Sequence, residues 1–335
     1  MAQTPGPLYR PSWGGPDADI DLHIEEHLGI VDKTFAYSSK MAPLMNIRNL
    51  RGTNTVRIDR MGGVTVQGRK SGETLNRTSP KNDKYNLTVD TVLYTRHPID
   101  NFDDWTSSID SRRELAELDG TELAKMFDQA CFIQAAKAPS YEPPEHLQGA
   151  FYSGIKQDVS IVGDLDNGEA DADKLVYAHR KSLETLINRD LGDRMYSEGV
   201  TAVTPRVFTT LLEHKRLTNV EFGAGGQNSF VGGRIAVMNG IRIMETPRIP
   251  TEAITDHPLG SAFNVSADEA KREMITLIPS LSLVTAQVHP VDAKFWEDHE
   301  NFAWVLDTFQ SYNIGTRRPD TIAVVEVTRT GTVEE

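Results

Sequence analysis

Two runs of alternating apolar and polar residues stand out along the chain. Thr55-Val56-Arg57-Ile58-Asp59 and Tyr85-Asn86-Leu87-Thr88-Val89-Asp90 place apolar side chains at every second position, the period of a half-buried strand. The segment between them, Gly68 to Lys84, is polar and basic. The pattern predicts a long two-stranded ribbon over 53–94 with a solvated tip. Such a ribbon is marginal in water by itself, so it must lie on the body of its own chain or on a neighbouring copy.

Elsewhere the period is helical. Leu22, Ile24, Leu28, Val31 and Phe35 mark a helix from Ile20 to about Lys40, and Gly29 leaves open two short helices or one kinked one. The segment from Met41 to Leu50 is apolar but irregular. A long helix starts near Ser111, where Ser111-Arg112-Arg113-Glu114 has capping-box spacing. It runs through Leu115, Leu118, Leu123, Met126, Phe127, Ala130 and Ile133 until Pro139 stops it. Gly120 inside it costs about 1 kcal/mol relative to alanine, which points to a bend or a close backbone approach.

Residues 139–171 read as loop, and a second long helix as running from about Asp171 to Leu191. Val200 to Phe208 reads as strand, followed by a short helix through Leu211 and Leu212 and a glycine-rich stretch from Phe222 to Gly233. Residues 235–238 and 241–244 are strands around Asn239-Gly240, a strong tight-turn signal. Residues 252–272 read as an exposed loop and Met274 to Val288 as one or two strands. Residues 292–313 fit either helix or strand, and Thr321 to Thr328 is a closing strand. Strands and helices without regular βαβ alternation predict an α+β fold. No internal repeat is visible.

A length of 335 residues allows about two domains. No apolar run approaches the roughly 18 residues of a membrane span. The first residues lack the basic and apolar regions of a signal peptide. The one cysteine, Cys131, excludes an internal disulfide framework and reads as a small buried hydrophobe. The net charge of −13 and pI near 5.2 argue against sequence-specific nucleic-acid binding as the main task, but leave open a chain that merely encloses DNA. Charge is unevenly placed. The ribbon tip holds Arg69, Lys70, Arg77, Lys81 and Lys84 against Glu73 and Asp83. The stretch 100–128 holds Asp100, Asp103, Asp104, Asp110, Glu114, Glu117, Asp119, Glu122 and Asp128 against Arg112, Arg113 and Lys125.

Candidate chemistry is thin. His23-Ile24-Glu25-Glu26-His27 has the spacing of an inverted zincin helix. It sits in a short pattern after the Pro/Gly-rich first 19 residues with no third ligand at hand, so both histidines are expected on a solvated face. Asp164, Asp166, Asn167 and Gly168 put the glycine one place early for a calcium loop, and Leu175 stands where glutamate belongs. Phe222 to Gly226 lacks the third glycine of a dinucleotide fingerprint, and neither a phosphate loop nor a nucleophile elbow occurs. Asn76, Asn86 and Asn264 head chance glycosylation triplets. The expectation is a protein with no catalytic residue, metal or cofactor.

The order of elements resembles the major capsid proteins of tailed bacteriophages, and specific runs are similar to those of short-tailed lytic podoviruses of the Autographivirus type. These runs are Phe35-Ala36-Tyr37-Ser38-Ser39 before the ribbon, Gly72-Glu73-Thr74-Leu75 at its tip, and Ile109-Asp110 to Ala135 as a spine helix. Arg206-Val207-Phe208 and Gly240 to Pro247 match middle-domain strands. Gly315 with Arg318-Pro319-Asp320 is similar to a turn that usually ends in glutamate. The similarity covers most of residues 20–328 and lies in the order of many short matches. It favours strand for 302–313.

The resemblance implies an N-terminal arm (1–50), an extended β-hairpin loop (51–97), a peripheral domain with a long spine helix (98–190 and 276–335) and an axial domain (191–275). It also implies self-assembly into hexamers and pentamers of an icosahedral shell in the virion, built in the bacterial host cytoplasm. The implied partners are other copies, a scaffolding protein and a portal, with double-stranded DNA enclosed and no membrane. Lys70 and Lys84 could serve the loop cross-link of some relatives, but exposed solvated lysines are the default reading. Rings require heterologous contacts. A basic arm and an acidic helix would supply one, which nominates Arg69, Lys70, Arg77, Lys81 and Lys84 against Asp110, Glu114, Glu117 and Glu122 of an adjacent copy. The alternative reading is an encapsulin-type nanocompartment shell, and a more distant one is a metalloenzyme using His23 and His27.

Overall fold

The computed structural model describes residues 18–61, 64, 66–74, 82–100, 111–147, 152–163, 167–215 and 237–330. These form six α-helices: α1 (Ala18–Ser38), α2 (Ser111–Lys137), α3 (Gly168–Asn188), α4 (Gly192–Glu198), α5 (Pro205–Leu212) and α6 (Pro279–Ser282). The strands are β1 (Ile47–Asn49), β2 (Thr55–Met61), β3 (Asn82–Thr88), β4 (Leu93–Asp100), β5 (Ile155–Ile161) and β6 (Val200–Val203), then β7 (Val237–Met238), β8 (Ile241–Glu245), β9 (Arg272–Leu277), β10 (Leu283–Asp298), β11 (Ala303–Thr316) and β12 (Ala323–Arg329). The chain divides into two compact units, one of residues 1–39, 92–125 and 289–311, the other of 40–91, 126–288 and 312–335. The α+β class stands.

In the first unit β4 pairs antiparallel with β11, from Asp100 against Ala303 to Leu93 against Gln310. Residues 302–313 are thus strand for nearly their whole length. α1 is one unbroken helix, and Gly29 faces open space. Val31, Ala116, Leu123 and Val291 form the core, with Leu28, Ile30 and Phe35 against it. Gly120 marks the close approach: a Cβ there would lie 2.7 Å from the Val31 carbonyl oxygen and 2.9 Å from the Thr34 Cβ.

His27 is buried at 6% exposure, contrary to its expected solvated position, and its Nε2 lies 3.0 Å from the Thr308 hydroxyl. Thr308 donates to Asp119 (3.1 Å), which also meets His97 Nε2 at 2.8 Å. A buried carboxylate needs such partners, so Asp119 serves the interior and not an acidic surface. Among the described residues no group of three His, Cys, Asp or Glu could hold a metal ion. The side chain of His23 lies outside the described residues.

In the second unit a six-stranded sheet runs in the order β5-β12-β9-β6-β8-β7. Leu175, Val176 and Ala178 of α3 and Val207, Phe208 and Leu211 of α5 pack on its Val159, Ile161, Val203, Met274 and Val325. Four expectations need correction. Residues 155–161, expected as loop, are β5, a strand whose Ile155, Val159 and Ile161 are buried. The expected strand to Phe208 ends at Val203, because Thr204 caps α5 through the Val207 amide and Pro205 fits its first turn. The expected helix end at Leu191 is instead Asn188, and a separate helix starts at Gly192. The expected exposed loop 252–272 buries His257, Leu259, Phe263 and Val265, and Val265 bridges to Ile254.

The Asn239-Gly240 turn does join two strands. Both residues have positive φ, 50° and 84°, the signature of a type I′ hairpin. Asn239 Nδ2 donates to His179 Nδ1 at 2.9 Å, and His179 Nε2 donates to the Thr201 hydroxyl at 3.0 Å. Burial holds His179 neutral, its pKa lowered to about 4. Cys131 is buried, and burial raises its thiol well above the usual value, which leaves it unreactive. No helix among the described residues is long and apolar enough to cross a membrane.

Candidate inter-subunit surface

The ribbon forms as its alternation predicts. β2 and β3 pair antiparallel from Thr55 against Thr88 to Met61 against Asn82. One face, carrying Val56, Ile58, Leu87 and Val89, packs on Val284 and Ala286 of β10. The root is also locked by Arg60, which is 4% exposed. Its guanidinium lies over the rings of Tyr85 (4.6 Å) and Tyr141 (5.1 Å) and donates to the Thr316 carbonyl at 3.1 Å and to the Tyr141 hydroxyl. Gly315 makes room, since a Cβ there would meet the Tyr85 hydroxyl at 3.0 Å. Asn313 donates to the Thr88 carbonyl at 2.6 Å.

Beyond the paired strands the described part of the tip lies in solvent. Lys70-Ser71-Gly72-Glu73 is a turn closed by the Glu73 amide on the Lys70 carbonyl (3.2 Å), with Gly72 at φ 95° in the place that demands positive φ. The Glu73 carboxylate caps the Lys70 amide at 3.1 Å. Arg69, Lys70 and Lys84 are exposed, and so are Val64 (71%) and Val66 (94%). Arg77 and Lys81 lie outside the described residues.

On α2 the nominated Glu114, Glu117 and Glu122 are exposed, while Asp110 lies outside the described residues. Leu118, 60% exposed, sits between them, since residues three and four apart share a helix face. Arg113 meets Glu117 at 3.4 Å and Lys125 meets Glu122, so part of the acidity is answered on the same helix. Asp119 and Asp128 are buried; Asp128 accepts from the Lys40 and Met41 amides at 2.9 and 3.1 Å. The helix therefore offers fewer surface acids than its composition implies. The Glu73–Lys70, Arg113–Glu117 and Lys125–Glu122 contacts are each local to their own element.

Charge pattern alone does not reveal the apolar half of both surfaces. Val64 and Val66, two apart in Val64-Thr65-Val66, continue the alternation of β2 past its paired end. Leu118 falls in the apolar period of α2 and yet is exposed.

No family model matches the chain, and no curated protein matches it. Solved structures do. The mature capsid of bacteriophage PhiM1 is similar over 98% of this chain and 99% of its own, at 38% identity and a TM-score of 0.78. The capsid protein of cyanophage P-SCSP1u shares the fold over 86% of this chain and 87% of its own, at 14% identity and a TM-score of 0.71. A virus-like particle from Pyrococcus furiosus shares it more loosely, covering 91% of this chain and 99% of its own at 13% identity and a TM-score of 0.53. The fold is that of tailed-phage major capsid proteins, and at that identity and near-complete mutual coverage with the PhiM1 capsid, the chain belongs to the bacteriophage capsid shell proteins.

Proposed function

We propose that the chain is the major capsid protein of a short-tailed lytic phage, joining into hexamers and pentamers that close an icosahedral shell around double-stranded DNA. Assembly takes place in the host cytoplasm around a scaffolding protein, with a portal at one vertex. One observation supports this reading above the others. A firmly rooted ribbon carries a solvent-exposed basic and apolar end, and the same chain carries an exposed acidic helix face with an apolar residue at its centre. A surface that fits a different surface of the next copy generates rings, and charge complementarity sets register and encounter rate more than affinity. In this reading the arm is 1–50, the extended loop 51–97, the peripheral domain 98–190 with 276–335, and the axial domain 191–275 at the capsomer centre.

The test is charge reversal read by electron microscopy and sedimentation. Arg69→Glu with Lys70→Glu should abolish rings and shells while leaving a folded chain, and adding Glu114→Lys, Glu117→Lys and Glu122→Lys should restore them. Normal shells from the first variant, or failed rescue by the second set, would refute the pairing. A species that stays small even with a scaffold present would refute the shell reading itself.

A further inference from the structure

We infer that the groove between β5 and α3 is a docking site for an extended acidic segment of a partner protein, which adds to the sheet as a further strand. This inference does not rest on the shell reading and holds for the isolated chain. β5 is an edge: among the described residues it pairs only with β12. The pairing is parallel, Ala323 against Ile155 to Arg329 against Ile161. The Ile155 amide donates to the Ile322 carbonyl at 2.9 Å, and the Ile161 carbonyl accepts from the Thr330 amide at 3.0 Å. In a parallel ladder alternate residues bond to the same neighbour. Lys156, Asp158 and Ser160 therefore turn their amides and carbonyls to the outer edge, where another strand can pair with them.

The groove along this edge has a volume of about 260 Å³. Val159 and Ala178 give it a small apolar floor, and Lys174, Tyr177 and Lys181 of α3 form its wall. Tyr177 is 67% exposed. Lys174 Nζ is ion-paired with the buried Asp171 carboxylate at 2.8 Å and also rests on the Ser160 carbonyl at 3.2 Å, so a lysine covers one open acceptor while the edge is unpaired. An incoming strand amide would take over that carbonyl, while Lys174 stays paired with Asp171 and the exposed Lys181 is the ammonium that meets a carboxylate of the segment. The site thus fits an extended segment that sets a carboxylate at Lys181 beside a small apolar side chain. Open backbone groups favour peptide over nucleic acid, whose phosphates would use the lysines alone.

The probe is a fluorescein-labelled peptide of alternating glutamate and valine, about ten residues long to span a strand, titrated against the full chain by anisotropy. Controls are a peptide of the same composition with glutamates and valines in separate blocks, and a DNA duplex. The alternating peptide should bind, and Lys181→Glu should weaken it at least tenfold. Asp158→Pro, which removes an outward amide without touching the β12 ladder, should do the same. Equal binding of the block peptide, displacement by the duplex, or unchanged binding by Lys181→Glu would overturn the inference. If Asp158→Pro does not fold, the exposed Lys181 decides alone.

Discussion

Single side chains set the tightest constraints. Gly120→Ala gains about 1 kcal/mol of helix propensity, yet its Cβ would sit 2.7 Å from the Val31 carbonyl, an unyielding backbone atom. Overpacking of that kind costs about 1–3 kcal/mol. The variant should melt below the wild type in a thermal scan, and equal or higher melting would show that α1 shifts to make room. His179 gives a pH dependence. Its folded pKa is near 4 against an ordinary 6.5, so the unfolded chain binds the proton first as pH falls. Its contribution, about 3 kcal/mol at 1.36 kcal/mol per unit, is complete above pH 6.5 and is lost as pH falls toward 4. His257, also lowered by burial and by Lys137, acts in the same direction. His179→Gln should flatten the melting temperature between pH 4.5 and about 6.5 relative to wild type; an unchanged slope would assign acid sensitivity elsewhere.

At the scale of elements, legibility followed the regularity of the apolar period. The ribbon, α2 and the Asn239-Gly240 hairpin were readable because alternation, helical spacing and turn chemistry each agree with the fold. β5 was missed because its charged outer positions, Lys156 and Asp158, sit between glycine- and proline-rich flanks that read as loop. The burial of His27, Asp119 and Asp128 is hidden in the sequence because sequence shows charge but not the partner that makes burial tolerable. Arg60 was invisible for the same reason: Tyr141 and Thr316 are distant in sequence. Arg60→Ala should cost about 2 kcal/mol, from two lost ring contacts and an abandoned carbonyl. Hydrogen exchange should then speed up at the β2 and β3 amides more than in the six-stranded sheet. Uniform acceleration would mean that Arg60 supports the whole unit and not the ribbon root.

For the whole molecule, the family was readable from element order, whereas the binding surfaces were only half readable, because their apolar members Val66 and Leu118 look like core in a linear pattern. If charge pairing drives encounter between copies, initial assembly rates should fall as ionic strength rises past about 0.15 M, where the screening length is about 8 Å. Light scattering during assembly would show this, and salt-independent rates would assign the work to the apolar contacts.

The chain passes between its two compact units five times, after residues 39, 91, 125, 288 and 311. Three of these passages fall inside α2, β10 and β11. Neither unit is a continuous stretch that a single recombination event could carry away whole. A hybrid spliced from two related phages would need several matched junctions, most of them inside hydrogen-bonded elements. Such genes should be inherited as a block, diverging by point substitution at the surface and seldom by exchange of parts.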